Sequence, residues 1–473
     1  MPHSISKYSV KIFVILLLIS FLIPLEISFA DLKIIPGGKC AKFGDTQNYQ
    51  GKKFLCIKSG SKLVWDKGTI LNNQSSTNQN NTSQNFQETS SQDFATPADC
   101  KLKKPAQLLM DDGPNGSLGF PRNSNQIVSL GNRSALLLFV DFSDAIADST
   151  LKSNFQESQI PRAQQFFKEA SLGNYNLKIV ASEKIYRLNN PATFYNLYEA
   201  PGGGPLAGKP VLLESLLLDA MAAADNDIDF SQYDFVTVAA PLSKNLTLSG
   251  AFGVMPSNTQ KYDGAKFAFA SFSPLDSILP KSQYNKNWNW IHDIGHMLGL
   301  MHPYKRGDRN SWDIMYPFAA QPDFLGWNKW KLNWISDEQV YCISNFVRDT
   351  YIFSLSPVGE NSSKKKIAII KLDKDSALVI ESRAHTSFDL PSLQSNDLGT
   401  IVYKVDVTKN GDTRDGNSGA ITLLNDDKRK VFDKVDYGLG TIKQGETINN
   451  SGFQIKVLQS TSSGDMISVV KVK

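Results

Sequence analysis

Three of the chain's five histidines fall in one short stretch, His292-Asp293-Ile294-Gly295-His296-Met297-Leu298-Gly299-Leu300-Met301-His302. That spacing dictates local structure more tightly than anything else in the sequence. An α-helix advances about 100° per residue, so His292 and His296 project from one face, one turn apart. Gly299 can take the left-handed conformation that ends a helix. Pro303 keeps the residue before it out of helix. A helix ending there turns the chain back, and His302 becomes a third imidazole beside the first two. Three histidines so placed are ligands for one Zn²⁺ at roughly 2.0–2.1 Å, with a fourth position left open, the catalytic rather than the structural arrangement. Asp293 sits beside the first ligand, where a carboxylate can act as general base toward a metal-activated water. A histidine pair at i, i+4 alone is more often an ordinary helix face. The third histidine and the intervening glycine make metal binding the stronger reading.

The rest of the chain sets the context. Its 473 residues are enough for two or three domains. A net charge of +4 is small for that length, and no basic stripe or phosphate-binding glycine loop stands out, which argues against nucleic acid as a partner. Residues 1–30 read as a signal peptide: Lys7 and Lys11, an apolar run from Ile12 to Leu25, then Ser28-Phe29-Ala30 as a cleavage site. The run is short for a membrane span. The expectation is a secreted, extracellular protein cleaved after Ala30, with no stable membrane insertion; an uncleaved anchor is the alternative.

Four cysteines fit export. They allow three pairings, and sequence does not choose among them. Proximity favours Cys40–Cys56, which leaves Cys100–Cys342. Reduced thiols, or a cysteine masking the metal in a latent form, are the alternatives.

Residues 31–70 read as a small two-cysteine module of short strands, and 71–98, rich in Asn, Gln, Ser and Thr, as a disordered linker. Residues 99–345 mix strands (Ser134–Phe142, Leu177–Val180, Tyr233–Ala240, Lys266–Phe272) with helices (Pro161–Leu172, Pro210–Ala224). This predicts an α+β domain with a mixed sheet. Residues 346–473 read as short strands separated by turns, predicting an all-β antiparallel sandwich without a chemical constellation. Six of the seven tryptophans lie between Trp288 and Trp334, and Trp327, Trp330 and Trp334 are spaced for a helix packed against the metal helix. His385 reads as a loop residue. Asp225, Asp227 and Asp229 alternate oxygens as a Ca²⁺ loop does, but lack its glycine and terminal glutamate.

The histidine stretch resembles the metzincin signature of zinc metalloproteases, with Asp293 in place of the usual glutamate. Met315, in Trp312-Asp313-Ile314-Met315-Tyr316-Pro317, matches the methionine turn of that class; Tyr316 follows it directly and reads as a packing residue. Phe139-Val140-Asp141-Phe142-Ser143-Asp144, Ile228 to Asp234, Leu325-Gly326-Trp327, Val379 to Arg383 and Gly399 to Asp406 resemble the immune inhibitor A family of secreted bacterial metallopeptidases. His302 stands where many members of that family carry Pro-Asp. The resemblance implies a zincin-like catalytic domain and a zinc endopeptidase acting on protein or peptide substrates. It also implies that Lys266–Phe272 is the edge strand lining the cleft. The competing expectation is a catalytically impaired pseudopeptidase that keeps the metal and binds peptide or cell-surface material.

Overall fold

The structure is a computed structural model. It describes residues 35–40, 46–49, 52–59, 62–67, 69–70, 86–105, 117–197, 211–241, 250–274, 288–303, 312–315, 323–383, 398–409, 419–424, 431–432, 435–436 and 440–472. The leader 1–30, residues 71–85 of the expected linker 71–98, Tyr316 and His385 lie outside them. Residues 86–98 of that expected linker are ordered instead, with 3-10 turns at Ser91–Asp93 and Pro97–Cys100 and with Thr89 N–H donating to the Ile352 carbonyl (2.8 Å). The chain divides into two compact units, residues 1–85 and 86–473.

In the first unit, strands Thr46–Tyr49, Lys52–Ser59 and Lys62–Trp65 form an antiparallel meander, with Thr69–Ile70 also pairing with the second strand. Its core is small: Phe54, Cys56 and Trp65. A core of that size needs a staple, and the Cys40–Cys56 disulfide supplies it.

The second unit opens on a five-stranded sheet. Its strands are β1 (Gly131–Asp141), β2 (Tyr175–Arg187), β3 (Phe235–Ala240), β4 (Gly250–Gly253) and β5 (Phe269–Pro274), in the order β2-β1-β3-β5-β4. The first four in that order run parallel, and β4 is antiparallel to β5. Parallel strands are covered on both faces and so read as continuous apolar runs. Ala135 to Val140 in β1 shows the consequence. Ala135, Leu137 and Phe139 face one core with helix α1 (Ile160–Ala170), and Leu136, Leu138 and Val140 face another with α2 (Leu213–Ala224). Helix α3 (Trp288–Met297) lies on the α1 side through Trp290, Ile291, Ile294 and Met297. The edge assignment needs correcting. Phe269–Pro274 is interior, hydrogen-bonded on both sides, and the strand at the sheet's margin beside α3 is Gly250–Gly253.

Beyond the short helix α4 (Gly326–Lys331), two larger sheets form among the described residues, besides a two-stranded pair of Val431–Phe432 with Val435–Asp436. One holds β6 (Val340–Ile343), β8 (Ile367–Lys371), β9 (Ser376–Arg383), β10 (Gly399–Asp406) and β11 (Ile421–Leu423). The other holds β7 (Thr350–Leu355), β12 (Thr447–Asn450), β13 (Phe453–Thr461) and β14 (Gly464–Lys471). Side-chain alternation gives the first sheet two buried faces. Ala368 and Ile370 meet the second sheet, while Ile367 and Ile369 meet Trp327, Trp330, Met301 and Trp312. Two details depart from the expectation of a separate antiparallel sandwich. The β6–β8 pair is parallel, and position 345/346 falls inside a unit whose core runs from the metal helix's turn into the strands. The Cys100–Cys342 disulfide ties residues 97–100 to β6 in the same unit. With all four cysteines in disulfides, a thiol that masks the metal is excluded. Among the described residues, no helix is long and apolar enough to cross a membrane.

Candidate metal centre

Helix α3 carries two of the histidines and its end delivers the third. Past Met297 the chain makes a closing turn: Gly299 N–H donates to the His296 carbonyl (2.9 Å) and Leu300 N–H to that of Gly295 (3.1 Å). Gly299 has φ +95°, a conformation that a side chain resists, and a Cβ there would stand 3.0 Å from Gln126 Cγ. The reversal swings His302 back over the helix. The Nε2 atoms of His292 and His302 lie 2.8 Å apart, as do those of His296 and His302.

The other ring nitrogens explain why His292 and His296 point inward. His292 Nδ1 lies 2.8 Å from the Ile314 carbonyl, and His296 Nδ1 lies 2.8 Å from the Leu300 carbonyl. A carbonyl only accepts, so each Nδ1 carries the proton and each Nε2 keeps a lone pair. His302 Nε2 faces both lone pairs and has at most one proton to offer, so one lone-pair contact stays repulsive. A cation at the centre relieves it. Burial also holds all three rings in the neutral, ligating form. The His292 pKa is lowered to about 4. That of His302 is lowered to about 3, by burial and then by His292. That of His296 is held well below the usual histidine range, by burial and then by its two neighbours.

This donor set fits a zinc ion. Three imidazole nitrogens suit Zn²⁺, and carbonyl-anchored Nδ1 atoms are the usual support of ligating histidines. Tetrahedral bonds of 2.0–2.1 Å would set the nitrogens about 3.3 Å apart, so the rings need to spread by about half an ångström from their present separation. Among the described residues, these three histidines form the cluster with metal-ligand spacing. The Asp293 carboxylate does not belong to that cluster; it is buried (3% exposed) beside His292 in the same helix.

Met315 lies against the helix at Gly295. A Cβ at Gly295 would lie 2.6 Å from Met315 Sδ and 3.6 Å from Phe324, so the helix rests on Met315 only because residue 295 has no side chain. The neighbouring Ile314 carbonyl is the one that orients His292. The turn is in turn fixed by the buried Asp313, which accepts from Met315 N–H (3.0 Å) and Asn328 Nδ2 (2.6 Å), and by Ile314 N–H donating to the Asp323 carbonyl (3.0 Å). Asp323 pairs with the fully buried Lys329. Burial pushes the Asp313 carboxyl up to about 7. The supporting roles of Gly295 and Ile314 escaped sequence reading; a glycine between two ligands inside a helix was the available signal.

The remaining candidates separate. Asp227 pairs with Lys184 (2.8 Å), Asp229 caps the turn at Phe230–Gln232 by accepting from Ser231 N–H (3.0 Å), and Asp225 ends α2. These carboxylates serve different partners and do not converge on a Ca²⁺ position. Trp334 lies in the core around α3, as expected, but Trp327 and Trp330 pack against the β8–β10 face.

No protein-family model matches the chain, and no curated protein matches it in sequence. Among solved structures, metalloproteinase-II from Bacteroides fragilis aligns over 61% of this chain and 77% of its own, at 12% identity and a TM-score of 0.26. That overlap is too slight to carry an argument. What fold and site define by themselves is a mixed-sheet unit with a buried three-histidine cluster able to hold a metal ion.

Proposed function

We propose that the chain is a zinc-dependent endopeptidase acting on extracellular protein or peptide substrates. The observation that carries this is the convergence of three neutral Nε2 atoms, two of them fixed through Nδ1 by backbone carbonyls. His292, His296 and His302 would hold the ion. A bound Zn²⁺ supplies Lewis acidity, acidifying water and polarising a carbonyl. Asp293 would take the proton from the attacking water and return it to the leaving amine. β4 would receive substrate. It is hydrogen-bonded to β5 on one side, and at Gly250 and Gly253 an added Cβ would meet nothing within 4 Å, so an extended backbone can approach. A leader cleaved after Ala30 would export the protein, and the two disulfides support an oxidising destination.

One observation favours a second reading, a metal-binding protein with weak or no turnover. Aspartate is one methylene shorter than glutamate, which retracts the carboxylate by roughly 1.5 Å. A misplacement of about 1 Å costs on the order of a hundredfold in rate. Chelator-sensitive cleavage of an unstructured protein such as casein separates the two. The peptidase reading expects cleavage by the wild type and its loss in Asp293→Asn. The second expects stoichiometric zinc with no cleavage, and activity emerging in Asp293→Glu.

A further inference from the structure

The sheet β6-β8-β9-β10-β11 was expected to carry no chemistry, yet β9 contains a fully buried ion pair. The side chains of Glu381 and Arg383 are both 0% exposed, with Arg383 Nη2 2.7 Å and Nε 2.8 Å from Glu381 Oε1. Burying two charges is costly, and apolar residues of similar size often serve stability as well or better. The bonds that the pair makes elsewhere therefore bear on why it is there.

Three of these reach the stretch that supports the metal centre. Arg383 Nη2 donates to the Trp312 carbonyl (2.9 Å) and the Phe324 carbonyl (3.3 Å), and its guanidinium lies 5.4 Å from the Trp312 ring centroid. Glu381 Oε2 accepts from Gly326 N–H (2.7 Å) and from the Tyr403 hydroxyl (2.9 Å). A Cβ at Gly326 would stand 2.7 Å from that carboxylate oxygen, so the approach is as close as a backbone allows. Trp312 precedes the methionine turn, while Phe324 and Gly326 follow it. One guanidinium thus holds the chain on both sides of Ile314, whose carbonyl fixes the tautomer and direction of His292.

We propose that Arg383 and Glu381 are positioning residues of the metal centre, which makes the C-terminal strands part of that centre. The inference rests on the metal-site reading above. Lysine is not a conservative replacement here, because the guanidinium presents its donors in one rigid plane that spans Glu381, Trp312 and Phe324, whereas an ammonium gathers them at a single point.

The test is metal binding by the full chain. Zn²⁺ affinity is measured by competition with a chromophoric chelator, and ligand geometry by the visible absorption of the Co²⁺-loaded protein. The variants are Arg383→Met, Arg383→Lys and Glu381→Gln. Lys366→Met serves as control; Lys366 is an equally buried cation of the same half whose hydrogen bonds go to the Pro357 carbonyl (3.1 Å), the Glu360 carbonyl and Ser362 Oγ (3.0 Å), none of them in the stretch from Trp312 to Gly326. We expect the Arg383 and Glu381 variants to weaken Zn²⁺ binding about 10- to 100-fold and to alter the Co²⁺ spectrum. Lys366→Met should lose stability with both readouts unchanged. If Arg383→Met does not fold, Arg383→Lys and Glu381→Gln decide. Wild-type affinity and spectrum in folded variants overturn this inference while the metal site stands. A wild type that binds neither ion overturns the metal site and this inference with it.

Discussion

Gly295→Ala adds one methyl group between the two helical ligands. At an open helix position this exchange stabilises by about 1 kcal/mol, because glycine has the greater backbone freedom to lose. Here the new Cβ would lie 2.6 Å from Met315 Sδ and 3.4 Å from Met315 Cε. An ordinary contact needs roughly 3.5–4.0 Å, so about 1 Å of separation must be found. Met315 and Phe324 are both buried in the core around α3, so neither has free space to yield. Overpacking of this kind costs about 1–3 kcal/mol. Against the propensity gain, the net change is a loss of up to about 2 kcal/mol in urea unfolding of the metal-free protein. The shift also displaces the Ile314 carbonyl from His292, so Zn²⁺ affinity should fall with stability. A double-mutant cycle with Met315→Ala should show coupling above about 1 kcal/mol, since shortening Met315 vacates the contested space. A Gly295→Ala protein more stable than wild type, with no coupling to Met315, would refute the packing of the helix on this turn.

Other outcomes follow from the same structure. Metal-free protein should lose stability on acidification: burial lowers the His292 pKa to about 4 from an unfolded value near 6.5. The unfolded chain therefore binds more protons over that interval, and stability present above pH 6.5 declines toward pH 4. Urea titrations across that range test this, and His292→Gln should flatten part of the slope. Replacing Cys100 and Cys342 by alanine opens a loop with a sequence separation of 242. Loop entropy then implies a loss of about 5 kcal/mol, measurable as a lower urea midpoint. An unchanged midpoint would place the stability of this unit elsewhere. Under the peptidase reading, Asp293→Asn should lower the cleavage rate at least a hundredfold with zinc content unchanged; a parallel loss of zinc would show the carboxylate acting on the ligands instead.

How much of this could be read from the chain depended on whether the cause was local. The helix, its glycine stop and the return of His302 follow from spacing alone, and β1 follows from an apolar run too long for a half-exposed strand. The position of the sheet edge did not, because the exchange of Lys266–Phe272 for Gly250–Gly253 turns on a short, glycine-bounded strand with little periodicity. The link between the two halves was equally hidden. Ile367 and Ile369 look the same as Ile370 in sequence, yet they face Trp327 rather than the second sheet. Glu381 and Arg383 did leave a trace: two opposite charges, two residues apart on one strand face, within a wholly buried run. Their targets, three backbone groups more than fifty residues away, are set by tertiary packing alone.

The most direct test of the account is metal content, measured by mass spectrometry after exhaustive chelation and reloading with Zn²⁺. The account predicts one zinc per chain, bound by neutral imidazoles, and sharply weakened binding in His292→Ala, His296→Ala and His302→Ala alike. A wild type that holds no zinc, or a His302→Ala variant that holds it as tightly as wild type, would contradict it.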